Sequence, residues 1–449
     1  MLKTEKRAAF SLALIYAFRM LGLFMILPVF SLYASEYEGS TPVLIGLAIG
    51  VYGLTQGLFQ LPFGFLSDRV GRKKMIIIGL LLFCGGSIVA ALADNIHQII
   101  LGRALQGMGA IAAVVMALAA DLSREEVRMR IMAVIGMSIG LSFMVSMIVG
   151  PILAAQFGIS GIFWITAVLA FISLFIVTYI TPDPEQQSFH RDAQLSISDI
   201  SKILKNKELL RLDLGVFVLH LVLAATFVIF PLVLRDQLAV SVADHWKTYL
   251  PVFIISIAVM VPMIIVAESK RKLKPLYLVG ILMVALAELG LFLLQGYTAL
   301  FMMLVLFFAG FNFLEASMPS LVAKIAPADK KGTAMGLFSS AQFLGAFTGG
   351  VLGGVMLSYE NYRMAFVQLS LIVVFWWVFA LFMKKPKAVS SKIVSLTGMD
   401  DASIASFREK VQQLPGVQEL TVYLDDKVAY MKIDKKRFDD AALENLLVR

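Results

Sequence analysis

Cysteine is almost missing from this chain: among 449 residues only Cys84 is present. That excludes a disulfide framework and a thiolate metal site within one chain. Placed in an apolar stretch, Cys84 reads as a small buried hydrophobe. Charge is scarce as well. Asp, Glu, Lys and Arg make up 16% of the residues against 59% hydrophobic ones, and mean hydropathy is +0.84. Such a balance excludes an ordinary soluble globular chain and makes lipid the solvent. A phosphate-binding loop is missing too: the glycine-rich stretch Gly345 to Gly354 has no Lys-Ser/Thr ending, so it reads as helix packing and ATP is not the expected energy source. No cofactor, metal or catalytic constellation is expected, and the chain reads as a non-enzyme. The basic start Met1 to Arg7 runs into about 22 apolar residues without a small-residue cleavage pattern, which reads as a retained anchor.

What is present is a series of long apolar runs. Since about 20 apolar residues cross a bilayer, the sequence predicts twelve transmembrane helices: 8–30, 43–66, 74–93, 97–121, 129–155, 162–181, 210–234, 247–267, 275–295, 298–321, 332–357 and 363–383. These form two six-helix bundles, 1–181 and 210–384, joined by a polar linker at 182–209 and followed by a soluble domain at 388–449. The formal net charge is +8 with pI near 9.3, yet the basic residues sit in short loops and not over one face, so no nucleic-acid partner is expected. Their distribution orients the chain. Lys3, Lys6, Arg7, then Arg69, Arg72, Lys73, Lys74, then Arg124, Arg128, Arg130 fall on one side with Lys270 to Lys274, Lys324, Lys330, Lys331 and Lys384 to Lys387; the opposite loops of the second half hold only Arg235, Lys247 and Arg363. Both termini are therefore expected in the cytoplasm of a bacterial inner-membrane protein. The halves also repeat: Pro62 and Asp68 of the first are matched by Pro262 and Glu268 of the second, each 200 residues on and each followed by a basic cluster.

After the Lys384-Lys385-Pro386-Lys387 linker, alternation of apolar residues predicts a βαββα order. Residues 392–396 read as a strand. Asp400 or Asp401 caps a helix bearing Ile404, Phe407, Val411 and Leu414 on one face. Leu420, Val422 and Leu424, the Asp425-Asp426 turn, then Ala429, Met431 and Ile433 read as a hairpin, and Phe438 to Leu447 as a closing helix. The order resembles a ferredoxin-like split βαβ module that ends before the usual fourth strand, which leaves one sheet edge open or covered by a partner.

The loop after the second span reads Gly64-x-x-x-Asp68-Arg69-x-Gly71-Arg72-Lys73. It resembles the cytoplasmic loop motif of the major facilitator superfamily. Glycines there allow a tight turn and close helix approach; Asp68 suits a helix N-terminus and the arginines suit C-terminal carbonyls or acids. Asp121, at the inner end of the fourth span, is the natural partner for Arg72, and the start of the eleventh span near Gly332-Thr333 offers Asp68 a positive end. Together they suggest a latch between the halves; the alternative, topogenic charge in a short loop, accounts for the Lys and Arg but not for the acid and glycines. In the fourth span, Leu101-Gly102-Arg103-Ala104-Leu105-Gln106-Gly107 is similar to the family's second motif, with Arg103 embedded near Gln106. An intramembrane arginine argues for a functional role, against the alternative of snorkelling to the outer surface about two turns away. The fifth span carries Ser146-x-x-x-Gly150-Pro151-x-x-Ala154-Ala155, which resembles the family's antiporter motif, with serine and alanine replacing some of its residues and helix packing preserved.

If the halves pack as in that family, the resemblance implies a cavity lined by Arg19, Gln56, Gln60, His220, Glu288, Asn312, Glu315 and Gln342. Arg19 and Glu315 lie near mid-span, where a carboxyl can bind and release a proton as access alternates; an Arg–Glu or Glu–His structural pair is the other reading. Glu288 reads as structural, because the ninth helix is peripheral in the family. The 23 Met and 33 Phe suit either a deformable apolar cavity or contacts with lipid and neighbouring helices. In the soluble domain, Leu396-Thr397-Gly398-Met399-Asp400-Asp401 sits where metal-binding ferredoxin-like domains place a Gly-Met loop before Cys-x-x-Cys, and both cysteines are missing. The domain is expected to regulate, to self-associate or to bind a cytoplasmic partner. A core of this kind followed by a cysteine-free domain resembles one bacterial subgroup of the superfamily over essentially the whole chain. The implied function is proton-coupled secondary transport, exporting small amphipathic compounds, with protons, substrate and the lipid bilayer as partners. Metabolite uptake by symport or uniport, and a transporter-like receptor signalling through 388–449, are the alternatives.

Overall fold

A computed structural model describes residues 1–183, 197–327, 329–385, 390–396, 398–424, 427–434 and 437–447. Linker residues 184–196, Pro386 and Lys387 of the basic stretch, Thr397 and the Asp425-Asp426 turn lie outside the described residues. The membrane part consists of α1 (Lys3–Phe24), α2 (Pro42–Val70), α3 (Arg72–Ala91), α4 (Ile96–Met108), α5 (Ala112–Asp121), α6 (Glu125–Phe175), α7 (Lys207–Leu232), α8 (His245–Ser269), α9 (Leu273–Leu293), α10 (Tyr297–Ile325), α11 (Lys331–Leu357) and α12 (Met364–Leu381). Within the predicted linker, residues Ile197–Leu204 form a further short helix, and Asn206 caps α7 by accepting from the backbone of Glu208 at 3.0 Å.

Among the described residues, eleven stretches are long and apolar enough to cross a membrane, one fewer than the twelve predicted. The difference lies in the fifth and sixth spans, which run together as a 51-residue stretch, Arg130–Ile180. At 1.5 Å per residue it is about 77 Å long, more than twice a hydrocarbon core. Gly158 breaks it with φ 65° and ψ −172°, a conformation that a side chain would strain. The fourth span is likewise split, at Gly109 to Ile111, where α4 gives way to α5.

The first half packs its own core around Leu12, Ile15, Ile76, Leu80, Leu118 and Ile135. A larger core joins the two halves, taking in Met25, Phe30, Ile45 and Phe143 from the first and Leu219, Phe230, Phe253 and Phe308 from the second. The closest approach is between α2 and α11. A Cβ placed on Gly46 would fall 2.2 Å from the carbonyl oxygen of Gly350, so only backbone fits between the helices there. Farther along, the Ser340 hydroxyl donates to the Gly57 carbonyl at 3.2 Å. Arg235, just past α7, donates to the Leu32 carbonyl of the first half at 3.3 Å.

The C-terminal segment folds as β1 (Ser390–Ser395), α13 (Asp401–Gln412), β2 (Val417–Tyr423), β3 (Val428–Ile433) and α14 (Asp440–Leu447). The sheet order is β1-β3-β2, antiparallel throughout. Relative to the sequence reading, the second strand starts earlier and ends before Leu424, while the last helix starts at Asp440 and not Phe438. Asp400 is the cap of α13: its carboxylate accepts from the Ser403 backbone at 2.9 Å, and those Ser403 hydrogen bonds hold its pKa below the ordinary carboxylate value. Val394, Ile404, Phe407, Val411, Met431 and Leu443 form a separate core. The sheet rests on the loops of the second half. Lys432 Nζ donates to the carbonyls of Lys324 and Ile325, each at 3.2 Å, Tyr423 Oη donates to Asp329, and Arg271 lies 3.6 Å from Asp434.

Candidate transport site

Arg72 is the centre of the loop motif. Gly71 ends α2 and opens α3 with φ 105°, a left-handed conformation in which glycine carries no Cβ penalty. The turn buries the Arg72 side chain, whose Nε donates to Asp121 at 2.9 Å while Nη1 donates to Asp68 at 2.5 Å and to the Ser67 hydroxyl at 2.9 Å. Ser67 in turn donates to the Gly64 carbonyl at 2.6 Å. The expected Arg72–Asp121 pair is thus formed, and Asp68 accepts from the same guanidinium. Arg69 points outward and is exposed. Lys73 reaches Asp183 at 2.9 Å and the Thr181 carbonyl at 3.0 Å, which ties the loop to the end of the sixth span.

Two anchors on this side escaped sequence reasoning. Glu5, in the first turn of α1, is buried and pairs with Arg124 at 2.8 Å. In sequence it stands between Lys3 and Lys6 with nothing to mark it as buried. In the second half Glu268, the repeat counterpart of Asp68, pairs with Lys324 at 2.8 Å.

The intramembrane polar residues gather in two groups. In the first half, Arg19 of α1 is 1% exposed and donates through Nη2 to Gln56, whose amide donates to Gln60 at 2.9 Å. The Arg19 guanidinium lies 5.7 Å from the ring centre of Phe83. Arg103, also 1% exposed, donates to the Ala48 carbonyl at 3.3 Å and to Gln106 at 2.9 Å, lies 5.1 Å from the ring centre of Tyr52, and so turns into the bundle and away from the surface. Gln106 donates onward to Ser87 at 2.8 Å. Phe83, Ser87 and Tyr52 carry no signal in sequence that they would serve these arginines; only their helical neighbours reveal it.

In the second half, His220 of α7, Glu315 of α10 and Gln342 of α11 meet. His220 Nδ1 is 3.1 Å from the Val216 carbonyl, and its Nε2 is 2.8 Å from the Gln342 amide nitrogen and 3.6 Å from Glu315. The Gln342 amide also donates to Glu315 at 3.2 Å. With Nδ1–H given to a carbonyl, Nε2 is left as the acceptor for Gln342. Glu315 is 38% exposed against 12% for His220, so the carboxylate is the more open of that pair. Asn312, one turn before Glu315, donates instead to Ser256 of α8 at 3.2 Å. Glu288 stands apart, fully buried and accepting from Thr226 at 2.7 Å. Phe311 lies 5.8 Å from His220, and Phe143 reaches across from the first half to within 5.6 Å of Phe253.

The small residues of the fifth span seat α1 against it. A Cβ on Gly150 would come 2.6 Å from the Met25 carbonyl, and the Ser146 and Ser142 hydroxyls donate to the Leu21 and Ala17 carbonyls at 3.3 and 3.2 Å. Pro151 follows inside α6. These contacts position the turn of α1 that carries Arg19.

Two packed helical halves with polar groups buried between their helices define a membrane carrier. The sequence matches the profile of the Major Facilitator Superfamily over residues 12–314 and 269–415, and the chain belongs to that family. It is similar to "Inner membrane transport protein YajR" of Escherichia coli (strain K12), with 41% identity over 96% of this chain and 95% of the relative. It is 26% identical to "Multidrug resistance protein MdtH" of Aeromonas salmonicida (strain A449), covering 76% of this chain and 85% of that one. Its fold matches a bacterial homologue of the human lysosomal transporter Spinster, in an inward-facing and occupied conformation, at TM-score 0.71 and 15% identity over 86% of this chain and 98% of the other. The chain is a multi-pass membrane transporter of this superfamily.

Proposed function

We propose that the chain is a proton-coupled secondary transporter of the bacterial inner membrane, exporting small amphipathic compounds by alternating access. The observation that carries this is the meeting of His220, Glu315 and Gln342, from three helices, at a partly open position between buried walls. A proton arriving at Nε2 turns His220 into a donor toward Glu315, and Gln342 must then give up its donated hydrogen bond. Loading therefore changes the bonding between α7, α10 and α11, and α11 is the helix whose glycines touch α2 of the other half. That link between protonation and the seam is what a coupled carrier needs.

Several further readings accompany it. Gly158 divides α6 into two crossings, making twelve, with both termini cytoplasmic. The Gly46–Gly350 contact then lies toward the outer side, so the arrangement is closed outward. Asp68, Arg72 and Asp121 act as a latch on the inner side: with the halves parted there, Asp68 stays on Arg72, and it engages the start of α11 when the cavity opens outward. The β1-β3-β2 order supports a ferredoxin-like module, which binds a cytoplasmic partner or a second copy. Export is supported by the multidrug-resistance relative, and inner-membrane residence by the Escherichia coli one.

The test is substrate-triggered proton movement in proteoliposomes holding a pH-sensitive dye, screened with amphipathic compounds under an imposed pH gradient. Proton release opposite to substrate flux, lost in Glu315→Gln, supports the reading. Transport with no proton signal in oriented, folded protein sinks it.

A further inference from the structure

The two halves differ in the sign of the charge held deep inside their spans. In residues 8–181 every acidic residue, Glu36, Glu38, Asp68, Asp94, Asp121, Glu125 and Glu126, lies at a helix end or in a loop, whereas Arg19 and Arg103 lie inside spans. In the second half the pattern reverses: Glu288 and Glu315 are inside spans. Neither Arg19 nor Arg103 has a carboxylate within ion-pair distance among the described residues.

Both guanidiniums are also short of acceptors. Arg19 Nε and Nη1, Arg103 Nη2 and the Tyr52 hydroxyl are all buried and have no hydrogen-bond partner among the described residues. A buried guanidinium without a counter-charge is among the costlier arrangements a membrane protein can hold, and a donor left unpaired adds to the cost. Facing π-clouds of Phe83 and Tyr52 offset only part of it. What this region lacks is an acceptor that carries negative charge.

The surroundings also indicate the shape of that acceptor's remainder. Phe83 lies 6.5 Å from Tyr52, and Tyr52 lies 6.5 Å from Phe343 of α11. Aromatic rings thus run from Arg19 across the seam to the residue next to Gln342, where the His220–Glu315 group begins. We propose that the first half holds an anion-binding subsite centred on Arg19, and that the transported compound is an amphipathic organic anion. Its charged head takes the free Arg19 donors and its apolar body lies along Phe83, Tyr52 and Phe343. This deepens the transport reading and rests on it: the anion occupies the cationic half while the proton is carried in the acidic half. A lipophilic cation is disfavoured at this position by both arginines. The donors are enclosed in the present arrangement, so occupancy requires the α2–α11 seam beside Tyr52 and Phe343 to open.

The test compares three probes of one shape on the purified full-length protein: 4-phenylbutyrate, 4-phenylbutyramide and 4-phenylbutylammonium. Binding is read by calorimetry and by the concentration-dependent rise in melting temperature. The carboxylate is expected to bind and stabilise, the amide weakly and the ammonium not at all. Arg19→Gln is expected to weaken carboxylate binding roughly tenfold or more, with Arg19→Lys between, since a charged donor is replaced by a neutral one. Equal binding of all three probes, preference for the ammonium, or unchanged carboxylate affinity in Arg19→Gln overturns the subsite. The probe comparison uses wild-type protein, so it decides the matter even if the variants fail to fold. Proton movement in proteoliposomes separates the two claims: carboxylate binding without proton movement removes the coupled-transport reading and leaves the subsite, and proton movement driven by the ammonium alone does the reverse.

Discussion

Arg72 Nε meets Asp121 at 2.9 Å across 49 positions of sequence, and both side chains are almost wholly withdrawn from solvent, 7% and 2% exposed. Asp121→Asn therefore leaves a buried guanidinium undercompensated. Removing one partner of a buried pair costs about 3–5 kcal/mol, so a clear drop in melting temperature is expected in detergent. Asp68, 27% exposed on the same guanidinium, behaves differently. Asp68→Asn is expected to impair transport with a smaller loss of stability, and wild-type turnover in that variant would remove the latch.

Glu315→Gln is expected to abolish the pH dependence of transport while leaving substrate binding measurable. The amide keeps an acceptor for Gln342 but offers no negative charge to hold a proton on His220 Nε2, 3.6 Å away in the parent protein. An unchanged pH profile would return Glu315 to a structural role beside His220.

The α2–α11 seam makes a geometric prediction. A methyl on Gly350 would meet the Gly46 carbonyl at 2.7 Å, backbone against backbone. Gly350→Ala must push the helices apart and is expected to shift the population toward the outward-open arrangement. The check is thiol labelling at introduced cysteines near Gln56, with Cys84→Ser as background. Labelling from the outer side no faster than in the parent would refute it.

Lys432 binds the last carbonyls of α10, where a cation also complements the helix dipole. Lys432→Glu should release the small domain, seen as faster amide exchange in β3. If transport rate then stays as in wild type, the domain does not act on the carrier through this contact.

Much of this protein could be read from the chain alone. Runs of about 20 apolar residues locate the crossings because a bilayer imposes that length on a hydrogen-bonded helix. The Gly64 to Lys73 motif pointed to Asp121 as a partner for Arg72, because Asp121 closes the fourth span on the side where the motif lies. Alternation in β2 and β3 and the Asp400 cap are local effects, and they too were legible.

What tertiary structure decided is of another kind. No periodicity shows that His220 would face Glu315 and Gln342 while Asn312, only three residues from Glu315, turns to Ser256, because facing is set by how α7, α8, α10 and α11 are rotated against one another. The sequence shows two intramembrane arginines; only packing reveals that, among the described residues, they find aromatic faces and amides but no carboxylate. Local composition determines which segments enter the membrane, since transfer to lipid is nearly additive along the chain. Pairing between buried polar groups depends on atoms brought within about 3 Å, and that is decided only when distant helices pack.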